Sequence, residues 1–266
     1  MLDHNIFNTL FVFPILNILV GFYDIFNFVK VPGAFGFAII ALTVFIRLIL
    51  HPFFKQQMHT TKKMSDLKPH LDTISKKHKD DPKKLQSEQM RLYKEAGVNP
   101  ASGCLVALIQ LPVFIGLYSS LNIFIQAQST AKAIAEINSV LYFPFLKIHS
   151  LNPWFLGVNL ALTPAQLHNP IGLLIPVITG GLQYFQYSIS MPTPPKQEKS
   201  LEKKDEKPSS SEDFQKAMNM QMKYLLPVMF GFFSWNLPIG LAVYWNIFSL
   251  FSIMQYMRFN AQHKKS

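Results

Sequence analysis

Apolar residues in this chain run in long stretches instead of the short amphipathic repeats of a soluble domain. Four windows are apolar for close to the roughly 20 residues that carry a helix across about 30 Å of hydrocarbon. They fall at about 35–54, 103–125, 171–191 and 224–259. The last is too long for one crossing and is interrupted by Asn236-Leu237-Pro238-Ile239-Gly240, where Pro and Gly favour a tight turn. It therefore reads as two helices, about 221–237 and 239–259, which makes five spans. The segment 6–29 is less clear, because Asn8, Asn17, Asp24 and Asn27 interrupt it and Pro14 lies near its middle. Residues 1–34 are therefore expected to hold an amphipathic helix lying in the membrane interface, with a sixth span as the alternative.

The polar segments have patterns of their own. Within 55–99, Met64, Leu67, Leu71, Ile74 and His78 recur at steps of three and four. Asp80-Asp81-Pro82 breaks the pattern, and Leu85, Gln89, Leu92 and Ala96 resume it, which predicts a helical hairpin with a thin apolar seam. Residues 192–218 are low-complexity with almost nothing to bury, and read as a disordered linker. Residues 126–170 carry Ile134, Ile137, Leu141, Phe143, Phe145, Trp154 and Phe155, enough to lie against the membrane as a short helix followed by irregular chain.

Composition supports the membrane reading: 49% of residues are hydrophobic and 15% charged, too few charges to wrap a soluble domain of 266 residues. The net charge of +10 would otherwise suggest an anionic partner, but its distribution explains it. The loop 55–99 holds 11 Lys plus Arg and 192–223 holds seven, against one in 1–34 and two in 126–170. The positive-inside rule then puts both basic loops and the short basic tail 260–266 in the cytoplasm, and no specific nucleic-acid sequence is expected as partner. The single Cys104 excludes an intramolecular disulfide and a cysteine-based metal cluster. The expected fold is an all-α polytopic membrane protein: a five-helix transmembrane core over 35–259 with a cytoplasmic helical hairpin.

Arg47 is the residue that most needs a partner. It lies inside the first firm span, and none of the five spans contains an acidic residue to pair with it. Thr43, Arg47 and His51 share a helix face. Thr179, Gln183, Gln186 and Ser190 form a second polar stripe; Trp245, Ser249, Ser252 and Tyr256, flanked by Asn246 and Gln255, form a third. Gln110 and Ser234 come from the remaining helices. If these faces converge they line a polar cavity open to the cytoplasm. Otherwise Arg47 snorkels to headgroups and the smaller polar groups bond between helices.

Several of these segments resemble a known family. GFAIIALTVFIRLILHPFFKQQ, the basic hairpin ending in Asn99-Pro100, GCLVALIQLPVFIGLY, and LPVMFGFFSWNLPIGLAVYWNIFSLFSIMQ are similar, in order and spacing over 35–259, to the YidC/Oxa1/Alb3 membrane protein insertases. The resemblance implies a protein that moves client segments into the bilayer through a cytoplasm-open hydrophilic groove without nucleotide hydrolysis. Arg47 matches the family's groove arginine and Thr43 a groove-lining position. Gln183 or Gln186 falls where the third helix adds polar lining, and Tyr244 and Trp245 match an aromatic region that meets clients. The expected groove and client-contact set is thus Arg47, Thr43, Gln110, Gln183, Gln186, Ser234, Tyr244, Trp245, Asn246 and Ser249. The implied partners are client membrane proteins, the ribosome, the Sec translocon and anionic lipids; the implied location is the bacterial inner (plasma) membrane, in the short bacterial form. A large periplasmic domain, a lipoprotein cysteine and a long C-terminal extension are not seen. The rival function is a small-solute channel or transporter, but Phe35–Leu42 and Ile171–Ile178 offer little polar lining for a continuous pore. An enzyme is disfavoured, since eight scattered histidines show no metal-binding spacing; no catalytic residue, cofactor or metal is expected.

Overall fold

The computed structural model describes residues 4–78, 81–99, 102–127, 131–190 and 220–263. The expected linker at 192–218 and the end of the basic tail lie outside these. The described chain is mostly helical. A π-helical turn, Asn8–Val12, leads into α1 (Phe13–Phe28), followed by α2 (Ala34–Ile49), α3 (His51–Asp66), α4 (Lys68–Lys77) and α5 (Pro82–Glu95). Next come α6 (Ser102–Ala127), α7 (Ala131–Ser139) and α8 (Pro170–Ser190). A second π-helical turn, Gln221–Leu225, opens α9 (Leu226–Asn236), and α10 (Ile239–His263) ends the described chain.

All five windows expected to span are helical, and a search of the described residues finds fewer than five helices that are both long and apolar enough to cross a membrane. The qualifying helices among the described residues are Ile239–Gln262 and Asn8–Phe28, the latter with a mean hydropathy of 1.9. A third is reached if α2 and α3, bent by 63°, count as one span. The shortfall has physical causes. Pro52 has no N–H and its ring meets the carbonyl of Leu48, so the helix kinks at the His51-Pro52 step. The polar stripe through Thr179, Gln183 and Gln186 lowers the hydropathy of α8, and α9 is only 11 residues long.

The segment expected to lie in the interface packs across the bundle. Leu16, Leu19 and Val20 of α1 are fully buried. Phe22 meets Phe45 of α2 with ring centroids 6.0 Å apart, and Ile15 lies against Gly116 of α6. Its polar Asn17 serves the interior: Nδ2 donates to the Phe13 and Val140 carbonyls at 2.8 and 3.0 Å, and Oδ1 accepts from the Tyr142 N–H at 2.6 Å.

Opposite the basic loops, residues 140–169 fasten the bundle. They contain two short antiparallel strands, β1 (Trp154–Phe155) and β2 (Val158–Asn159), which the sequence pattern does not announce. Phe155 lies so close to α2 that a Cβ on Gly36 would come within 2.2 Å of its ring. Gly33, at φ +82°, makes the turn into α2 beneath the same ring. Pro238 separates α9 from α10, leaving the N–H groups of Ile239 and Gly240 without intrahelical acceptors. They donate to the carbonyls of Leu162 and Leu160, each at 2.9 Å. At the other end α4 and α5 pair, with Leu71 and Leu85 buried and Asp81 capping α5 through the Lys84 N–H at 3.1 Å.

Candidate functional site: a polar cavity around Arg47

Arg47 is held by α10. Its Nη2 donates to the Phe248 carbonyl at 2.9 Å and to the Ser252 hydroxyl, which itself donates to the Phe248 carbonyl at 2.9 Å. Residues 248 and 252 are one turn apart, so a single face of α10 supplies both groups. The guanidinium carbon lies 3.8 Å from the centroid of the Phe248 ring and 4.2 Å from that of Phe54. Each desolvated cation–π contact is worth up to about 2 kcal/mol, which offsets part of the cost of a cation that is 2% exposed. Nε is buried without a hydrogen-bond partner among the described residues.

Arg47 forms part of the wall of a cavity of about 420 Å³ between α2, α3, α6, α8 and α10. Gln110, Gln183, Gln186 and Trp245 share the wall. Among the described residues no carboxylate lines it and Arg47 is its one fixed charge. Gln57 and Met58 of α3, Ser190 at the end of α8, Met222 and Tyr256 complete the lining at the end where the basic loops leave the bundle. Away from that end the bundle is filled by Ile39, Leu42, Leu121, Leu160 and Leu241, all at most 2% exposed.

Five of the ten expected groove residues are not in the wall. Thr43 and Ser234 are buried with their hydroxyls donating to the carbonyls of Ile39 and Gly231, at 2.6 and 2.8 Å in their own helices. Tyr244 is 1% exposed and accepts a hydrogen bond from Gln110, so it positions a wall residue without lining the cavity. Asn246 Oδ1 and Ser249 Oγ are buried and unpartnered among the described residues, outside the lining. Trp245 is braced by stacking on Phe114, 5.3 Å between centroids, and by the edge of Phe230 at 5.0 Å.

The structure adds Gln57, Tyr187, Ser190, Ser252, Gln255 and Tyr256 to the polar lining. Four of these sit on stripes the spacing already showed. Gln57 was hidden because the sequence assigns residues 55–99 to a cytoplasmic hairpin, whereas the bend at Pro52 returns the first turns of α3 to the cavity. Gln255 Nε2 and His51 Nδ1 pair at 2.9 Å near the same mouth.

Comparison with known proteins bears on this geometry. Residues 27–266 match the family described as 60Kd inner membrane protein. The chain is 30% identical over 260 residues to the membrane protein insertase YidC of Oceanobacillus iheyensis, covering 96% of this chain and 84% of that protein. It is 32% identical over 243 residues to the inner membrane ALBINO3-like protein 2, chloroplastic, of Chlamydomonas reinhardtii, and 30% over 233 residues to the inner membrane protein ALBINO3, chloroplastic, of Arabidopsis thaliana. Of those two it spans 52% and 44% of the length, about half.

Proposed function

The chain belongs to the YidC/Oxa1/Alb3 family of membrane insertases, and from that premise we propose that it inserts client segments into the bilayer by way of the Arg47 cavity. In this reading α2, α6, α8, α9 and α10 form the transmembrane core, with α1 packed across it. The α4–α5 hairpin and the basic loops lie in the cytoplasm of a bacterium, and the cavity opens toward them. A polar or acidic stretch of a client leaves water costing several kcal/mol per unpaired group if it enters hydrocarbon directly. A polar recess partway into the membrane shortens that path, and Arg47 attracts client carboxylates. The client's apolar helix then leaves sideways into lipid, driven by its own burial, so no nucleotide is consumed.

The observation that carries this reading is Arg47: a buried cation with no carboxylate partner among the described residues, in the wall of a cavity it shares with amides, hydroxyls, aromatic rings and the apolar Met58, Leu111 and Met222. The apolar filling around Leu42, Leu121 and Leu241 counts against a solute pore. The ribosome, the Sec translocon and anionic lipids fit as partners for the basic cytoplasmic side.

The test is reconstitution. Liposomes holding the purified chain should insert a labelled single-span client without ATP or GTP, and should show no flux of small solutes. Insertion no better than in protein-free liposomes would refute the proposal, and solute flux without insertion would favour the channel.

A further inference from the structure

An arginine on a long flexible stem near the end of a membrane helix ordinarily swings its head toward water and headgroups. Arg47 does not, and its place is fixed from several directions. Nη2 is committed to α10 through the Phe248 carbonyl and Ser252. The rings of Phe54 and Phe248, with centroids 6.2 Å apart and planes inclined at 73°, form a corner into which the guanidinium fits. Phe251 adds a third ring at 5.7 Å. Nη1 has no hydrogen-bond partner among the described residues, and the side chain forms part of the cavity wall.

We propose that Phe54 and Phe248 are positioning residues: their rings hold the guanidinium so that Nη1 is presented to the cavity at one fixed place, making Arg47 a directional receptor for a client carboxylate. The inference rests on the insertase reading above and adds how the charge is aimed. A cation free to move would offer a diffuse potential, felt by any anion near the mouth. A fixed guanidinium offers a charge-assisted hydrogen bond, which depends on where the acid stands. The corner is built by two elements, since Phe248 belongs to α10 and Phe54 to α3 beyond the 63° bend. The receptor is therefore complete only while α3 is docked.

The chain has three arginines, Arg47, Arg91 and Arg258, so arginine-selective ¹⁵N labelling of the full-length protein in lipid nanodiscs resolves the site directly. The Arg47 side-chain N–H protons should be displaced upfield by the ring currents. Phe248→Leu and Phe54→Leu should return them toward the position of exposed Arg91, and Phe248→Tyr should keep the displacement.

In liposomes, with clients matched except for one acidic residue in the translocated segment, each Leu variant should lower the ratio of acidic to neutral insertion by about fivefold. Phe248→Tyr should leave that ratio within about twofold of the wild type. A general packing defect would lower both clients equally. No ring-current displacement in the wild type, or an unchanged ratio in Leu variants that have lost it, would overturn the proposal. Absence of client insertion by the wild-type chain would overturn the insertase reading instead, and the spectroscopic arm would still decide whether the corner holds the guanidinium.

Discussion

Replacing Arg47 by Ala should separate clients by charge. A client carboxylate brought to about 6 Å from the guanidinium, at an effective dielectric of about 20, gains about 3 kcal/mol, roughly a hundredfold in a partition constant. The wet mouth lined by Gln57, Gln186 and Ser190 screens part of that, so a loss of about tenfold per acidic residue is the working expectation. A neutral client should lose less than about twofold, because the shorter hydrophobic path does not depend on the charge. The variant should still accumulate, since Ala removes a buried cation together with its desolvation cost. Arg47→Lys keeps the charge but not the guanidinium held between the rings, so it should insert acidic clients better than Arg47→Ala and less well than the wild type. The assay is insertion yield, normalised to the amount of insertase, for clients with zero, one and two acidic residues in the translocated segment. Equal losses for all three clients would refute the electrostatic role.

Three further outcomes test the rest of the structure. In a Cys104→Ser background, Lys147→Cys should react with a membrane-impermeant thiol reagent added outside and not with reagent confined to the cytoplasmic side, because in the proposed orientation the two positively charged loops face the cytoplasm. Gly36→Ala would set a methyl group 2.2 Å from the Phe155 ring; it should destabilise the bundle by about 1–3 kcal/mol in denaturant melts in detergent, and Phe155→Ala should relieve the overlap. Leu71→Ser combined with Leu85→Ser removes the seam between α4 and α5; the region 68–95 should become protease-sensitive while the helices around Arg47 stay resistant, at a local cost of about 2 kcal/mol per leucine.

What the sequence makes legible and what it hides have different physical origins. Arg47 stands out because a charge in an apolar run is expensive wherever it points, and the stripe through Gln183 and Gln186 stands out because side-chain amides cannot satisfy themselves within their own helix. Thr43 and Ser234 look equivalent by spacing, but a short hydroxyl reaches a carbonyl of its own helix and need not face a cavity. Phe54 and Phe248 carry no signal at all, since among 24 phenylalanines any one reads as core or lipid-facing. The same reasoning explains α1. By sequence Asn17 reads as a polar interruption suited to headgroups, yet its three hydrogen bonds are spent inside the protein, on the Phe13 and Val140 carbonyls and the Tyr142 N–H. The strands β1 and β2 are two residues each, below the length at which alternation can be read.

The two ends of the bundle are stabilised by different kinds of contact, and the difference suits one-way entry. At the end away from the basic loops, main chain bonds to main chain between Leu160, Leu162 and the start of α10, and Phe155 lies on bare α2 backbone. Opening that end would expose donors that have no other acceptor, together with an aromatic ring, so it carries the full cost of buried polar groups left unpaired. At the cavity end the closing contacts are side chains: Gln255 against His51, and His59 edge-on to Phe259. Side chains can change rotamer without stranding a backbone group, and α3 meets α2 through a proline bend that lacks a continuous hydrogen-bond ladder. Under the proposed insertase mechanism, a client would displace the cheaper contacts and reach Arg47 while the opposite end stays shut. The permeability barrier is then maintained by the backbone, and the versatility toward different clients by side chains that yield.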